Sequence, residues 1–174
     1  LCSLCCDPWA VSNRWAIFVM IHFTPPPVKG PDDLFMLFRH WNKRDVPDAG
    51  FMVDEKMDGF RAGYWRGRDG TAKLWTKGGF EIQGVGHIAH RLAIMERIAG
   101  EPMFFDGEFM VGDTLAATKR WCETDWKLGG ENGTLHLFDA MPEREWRAGG
   151  CDMPLEQRKA RLVALHDEAE ASLS

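Results

Sequence analysis

The chain predicts an α+β fold in which antiparallel sheets are flanked by helices. Three observations predict it. Short apolar runs recur at 51–53, 60–65, 72–76, 103–111 and 134–139, several of them bounded by glycine turns, as strands are. Between and around them, residues 32–42, 85–98, 114–127 and 154–171 place apolar side chains at helical spacing. The chain has 174 residues, 45% hydrophobic and 27% charged, which suffices for one domain with a real core and matches an ordinary globular composition.

Residues 1–30 differ from the rest. Trp15 to Phe23 is apolar but too short to span a bilayer. Arg14 gives only a weak positive region, no small-residue cleavage site follows, and Thr24-Pro25-Pro26-Pro27 reads as an extended linker. The expectation is a poorly ordered leader, with Met20 as a candidate start. Asp32 or Asp33 then caps a helix over 32–42, whose stripe is Leu34, Phe35, Leu37, Phe38 and Trp41. Phe51-Met52-Val53 and the run from Phe60 to Trp65 read as two strands joined by a tight turn at Gly59, chosen for the backbone angles only glycine takes cheaply. Arg68-Asp69-Gly70 is a turn and Ala72 to Thr76 a strand. Val85, Ile88, Leu92, Met95 and Ile98 share one face of the next helix, which also carries His87 and His90, read as solvated. Met103 to Val111 is a strand with Asp106-Gly107-Glu108 at its centre, either a surface bulge at Gly107 or a functional pair of carboxylates. A helix over 114–127, a glycine-rich turn at 129–133, a strand over 134–139 and a helix over 154–171 that starts at Pro154 complete the chain.

The formal net charge of −5 argues mildly against a nucleic-acid partner, yet Arg61, Arg66, Arg68, Lys73 and Lys77 crowd around the first strands. Such a cluster either tracks phosphates or forms a solvated strand edge. Cys2, Cys5 and Cys6 lack the fourth ligand that a zinc site needs, so a reduced, intracellular protein is expected.

Lys56 is the candidate with the most chemistry. A lysine amine can attack a carbonyl or a phosphorus once it is neutral, which costs roughly 4–5 kcal/mol at pH 7 from the reference pKa. A buried setting or a neighbouring cation such as Arg61 lowers that cost. By itself Lys56-Met57-Asp58-Gly59 reads better as a surface hairpin with a salt-bridged lysine.

The longer stretch Glu55-Lys56-Met57-Asp58-Gly59-Phe60-Arg61 resembles motif I of the covalent nucleotidyltransferases: ATP-dependent DNA ligases, RNA ligases and mRNA capping enzymes. Phe105-Asp106-Gly107-Glu108 is similar to motif III and Leu137-Phe138-Asp139 to motif IIIa. Thr76-Lys77-Gly78-Gly79 stands where the ligases carry a phosphate-binding arginine, with lysine in its place. The resemblance covers about residues 32–174 and is nearest to the bacteriophage-type DNA ligases. It implies an ATP-grasp-like adenylation domain, with ATP and Mg2+ as cofactors. Lys56 is then the nucleophile that carries AMP, and Glu55 holds the adenine edge. Arg61 and Lys77 bind phosphate or ribose, Glu108 binds ribose or metal, and Phe138 stacks on the base.

The Glu-Gly pair of motif IV and the Lys-x-Lys strand of motif V do not occur after Phe138, where Lys159 is the one lysine. The expectation is therefore a partial adenylation domain over 31–174, with no C-terminal oligonucleotide-binding barrel. The function expected is that of a DNA ligase fragment, a monomer in the cytoplasm without a membrane anchor, whose partner is nicked double-stranded DNA. An RNA ligase or a capping guanylyltransferase is the first rival. Arg61, where NAD-dependent ligases carry a small residue, makes that branch a weaker one. A non-catalytic nucleic-acid-binding remnant is the rival of another class.

Overall fold

Strand β4, Met103–Val111, lies at the centre of the structure because its alternation works on both sides: Met103, Phe105 and Phe109 enter one core while Phe104 enters another. The computed structural model describes residues 2–3, 52, 54–67, 69–112, 114–125 and 130–174. Around β4 the strands β2 (Phe60–Arg66), β3 (Ala72–Thr76) and β5 (Gly133–Pro142) form a four-strand antiparallel sheet. The two-residue strand β1 (Cys2–Ser3) extends it at the β5 edge, giving the order β1-β5-β4-β2-β3.

Helices α1 (Gly86–Ala99) and α4 (Leu155–Leu173) pack on one face. Ile88, Leu92 and Met95 of α1 and Leu162, Leu165 and Ala169 of α4 meet Tyr64, Leu74, Phe105, Phe109, Leu135 and Leu137 of the sheet. A fully buried side chain of this size contributes about 1.5–3 kcal/mol. Helix α1 ends at Gly100, in the left-handed region at φ 73°, where its amide donates to Glu96 O and Arg97 O. Helix α2 (Leu115–Asp125) rests on β4, with Trp121 tilted against Phe109 and the buried Thr118 hydroxyl accepting from Val111 N at 3.1 Å. The opposite face of the sheet carries a smaller aromatic core of Trp65, Phe104, Met141 and Trp146, with Trp75 at its rim. Trp146 belongs to the short helix α3 (Glu143–Arg147), and its ring stacks on Phe104 at 4.2 Å between centroids.

Several expectations are corrected by this architecture. Met52 is not in a strand, and residues 54–58 have no regular structure, so β2 is approached by an irregular segment and not by a hairpin strand; Phe51 and Val53 lie outside the described residues. Gly59 does not sit at positive φ. It is there because a Cβ would lie 2.4 Å from Phe109 O and 2.6 Å from Met110 Cγ. The irregularity in β4 is not an extra residue at Gly107. The ladder slips between Asp106↔Asp139 and Gly107↔Leu137, which makes Phe138 of β5 the additional residue. Strand β5 runs on to Pro142, beyond the expected end at 139, and α3 was not foreseen. The expected helix over 32–42 and the leader beyond residues 2–3 lie outside the described residues. No described helix is long and apolar enough to cross a membrane.

Candidate functional site

The alternation that points Phe105 and Phe109 into the helical core points Asp106 and Glu108 to the other side of β4. Arg61 of β2 stands opposite Glu108 in the ladder and reaches diagonally to Asp106. Its Nε and Nη2 donate to Asp106 Oδ1 and Oδ2 at 2.7 and 2.6 Å, a bidentate pair with 14% and 2% of the two side chains exposed. The guanidinium also lies 4.5 Å from the centre of the Phe138 ring, brought over β4 by the slip in β5.

Electrostatics follow from this packing. Burial drives the Asp106 carboxyl upward, against the pull of Arg61. Burial works to lower the Arg61 guanidinium, but the Asp106 carboxylate more than offsets it and raises it. The paired geometry makes both ends of this contact charged, and the upward pressure on Asp106 reflects the cost of burying it. Glu108 is also raised, first by burial, while the Gly59 amide, Arg61 and Lys56 act to hold it down. That amide donates to Glu108 Oε1 at 3.1 Å.

Lys56 lies in the irregular segment before β2, with 56% of its side chain exposed, and its Nζ donates to Asp58. Its charge is felt by Glu108. Glu55, half-buried beside it, faces His136 of β5, whose imidazole burial shifts downward against the pull of that carboxylate. Lys77 follows β3, and its backbone amide donates to Arg61 O at 3.2 Å, so the turn it begins is fixed against the strand that carries Arg61. The six expected residues thus gather around one end of β2, β4 and β5. Arg61, Glu108 and Phe138 are in the sheet, while Glu55, Lys56 and Lys77 lie in the segments beside it.

Three members of the broader basic cluster are paired with carboxylates. Arg61 is held by Asp106, Arg66 donates to both oxygens of Glu96 at 2.7 and 3.0 Å, and Lys73 donates to Glu81 at 2.9 Å. Arg68 lies outside the described residues. His87, exposed as expected, is also within hydrogen-bond distance of Gly133 O, at 3.1 Å.

Solved structures similar to this chain include those named Pmar-Lig_PreS3 and Pmar-Lig_Pre. Each is 23% identical to this chain with a TM-score of 0.51, over 66% of this chain and 27% of the other. The fold is ligase-like. At this identity the likeness speaks for the fold, and the chain spans about a quarter of the length of either neighbour. No protein-family model matches the chain, and no curated protein matches it.

Within this ligase-like fold, Asp106 and His136 complete the arrangement. Asp106 orients Arg61, and His136 pairs with Glu108 across the ladder. The alternation Thr134-Leu135-His136-Leu137 already signals that His136 points away from the core. Nothing in the sequence pairs Arg61 with Asp106, because their contact depends on the β2–β4 register. Together the site offers an exposed amine, a fixed guanidinium, an aromatic face and a half-buried carboxylate. Such a set suits an anionic ligand that also carries a planar ring.

Proposed function

We propose that this chain carries the nucleotide-binding part of an ATP-dependent DNA ligase, in which Lys56 takes up AMP and passes it to the 5′-phosphate of a nick. The observation that carries the reading is the convergence of Lys56, Arg61, Glu108 and Phe138 at one end of the sheet. The ligase-like fold supports it.

In the first step the Lys56 ammonium gives up a proton, and Asp58, to which Nζ donates, is the carboxylate placed to take it. The Nζ lone pair then attacks the α-phosphorus of ATP. An N–P bond forms, the bond from that phosphorus to the bridging oxygen breaks, and pyrophosphate leaves with the electron pair. Arg61 and Lys77 offer positive charge to the phosphates or ribose, Glu55 holds the adenine edge, and Phe138 supplies a stacking surface of about 1–3 kcal/mol. In the second step a 5′-phosphate oxygen of nicked duplex DNA displaces Lys56 from the AMP phosphorus. In the third the 3′-hydroxyl attacks the activated 5′-phosphate and AMP departs. Magnesium, when bound, neutralises phosphate charge as pyrophosphate leaves. Both Asp106 oxygens are engaged by Arg61, and no group of three or more His, Cys, Asp or Glu among the described residues could hold a metal ion. Glu108 would therefore supply one ligand and the substrate phosphates the rest, as magnesium commonly accepts.

The test is label transfer from ATP labelled at the α-phosphate, in magnesium, followed by denaturation and by a chase with nicked duplex. The expected result is labelled protein that Lys56→Ala abolishes and that the nick discharges. GTP in place of ATP separates the capping-enzyme rival, and nicked RNA in place of nicked DNA the RNA-ligase one. Nick binding with no covalent label and no ATP-dependent rise in melting temperature would replace the enzyme with a binding remnant.

A further inference from the structure

We infer that Lys159 of α4 is a positioning residue for Lys56, acting through Asp54; the catalytic consequence rests on the ligase reading, whereas the mechanical one does not. Residues 54–58 form no helix or strand, so no backbone ladder fixes Lys56. Two long-range contacts bracket it instead. On the C-terminal side, the Gly59 amide donates to Glu108 Oε1 of β4 at 3.1 Å. On the N-terminal side, Lys159 Nζ donates to Asp54 Oδ2, with 14% and 26% of the two side chains exposed.

The second anchor is only as firm as α4. Its neighbour Arg158 is buried and bidentate, with Nε and Nη2 donating to Asp139 Oδ1 and Oδ2 of β5 at 2.7 and 2.9 Å and Nη1 donating to Met153 O at 2.6 Å. Further along, Leu162, Leu165 and Ala169 are locked into the sheet core. Lys159 thus projects from a fixed turn of helix, and the Asp54 contact ties the Lys56 segment to that turn. With both anchors in place, the segment that carries the amine is tied to β4 and to α4. Without the Lys159 contact, the segment loses its tie to α4, and the amine samples positions away from its target. Misplacement of a reacting group by about 1 Å can cost on the order of 100-fold in rate.

The experiment uses the full chain and three variants: Lys159→Met, which keeps the aliphatic stem, Asp54→Asn, and the charge exchange Asp54→Lys with Lys159→Asp. All are compared below their melting temperatures, with folding checked by circular dichroism. The first readout is the rate of tryptic cleavage after Lys56, followed by mass spectrometry. The second is the rate constant of label transfer at saturating ATP. Both single variants are expected to speed cleavage and to slow label transfer by about 10- to 100-fold with little change in the ATP concentration for half-saturation. The charge exchange is expected to restore both. Cleavage as slow in Lys159→Met as in the parent chain would overturn the inference. So would a loss of label transfer in Asp54→Asn that Lys159→Met does not reproduce, because Asp54 would then act on the nucleotide directly. If the parent chain takes up no label, the cleavage arm still decides this inference, and only the ligase reading fails.

Discussion

Arg61 combines three contacts that a sequence cannot announce together: two hydrogen bonds to Asp106 and a cation–π contact to Phe138. Removing one partner from such a pair leaves a buried charge with no counter-charge, which typically costs about 3–5 kcal/mol, whereas replacing both with apolar residues costs far less. Asp106→Leu and Arg61→Met are therefore each expected to lower unfolding stability by about 3 kcal/mol, and the double variant Arg61→Met, Asp106→Leu by clearly less than the sum. Urea denaturation of the four proteins completes the cycle. Additive losses would show that the pair is not coupled. The same residues mark what was legible at this scale. Lys56, Arg61, Glu108 and Phe138 stood out through the resemblance of their motifs to those of the covalent nucleotidyltransferases. The partners of Asp106 and His136, Arg61 and Glu108, follow only from strand register, which residue types do not encode.

Among the elements, α3 shows why part of the fold escaped the sequence. Five residues, Glu143–Arg147, are too few to display a helical period, and the helix is held by tertiary contacts. Glu143 accepts from Arg66 N at 3.2 Å and from Arg147 Nε at 2.8 Å, and Trp146 closes the small aromatic core over Phe104 and Trp65. Trp146→Ala would empty a site lined by Trp65, Phe104 and Met141, and is expected to cost about 3–5 kcal/mol. The loss should appear as a lower urea midpoint and a changed near-ultraviolet circular dichroism signal. An unchanged midpoint would mean that α3 is not part of the cooperative structure. The long elements were readable for the opposite reason. Helix α1, Gly86–Ala99, falls within one residue of its expected span because Ile88, Leu92 and Met95 recur on one face over several turns. The slip at Phe138 was not readable, because nothing in Leu137-Phe138-Asp139 distinguishes a bulge from continuous alternation.

The whole molecule carries one tyrosine, which makes its alkaline behaviour unusually direct to measure. Tyr64 lies mid-strand in β2 with 2% of its surface exposed, its ring 6.0 Å from that of Phe105. Burial, then the Glu96 carboxylate, pushes its phenol up to about 12 from the ordinary 10.0, with Arg66 opposing and Glu143 adding to the rise. The folded state therefore favours the neutral phenol. Its contribution to stability is complete below pH 10.0, the unfolded value, and is lost as pH rises from there through about 12. Loss of lysine charge over the same range makes a chain of net charge −5 at pH 7 more negative still, which adds self-repulsion in the same direction. The two effects separate in Tyr64→Phe, which removes the titration and leaves the lysines. In the parent chain, tyrosinate absorbance is expected to rise together with the loss of far-ultraviolet circular dichroism, well above pH 10.0. The phenylalanine variant is expected to unfold at higher pH than the parent, provided its stability at pH 7 is comparable. Tyrosinate appearing near pH 10.0 with the circular dichroism intact would mean that the centre of β2 is open to solvent, contrary to the packing that places Arg61 and Tyr64 on opposite faces of one strand.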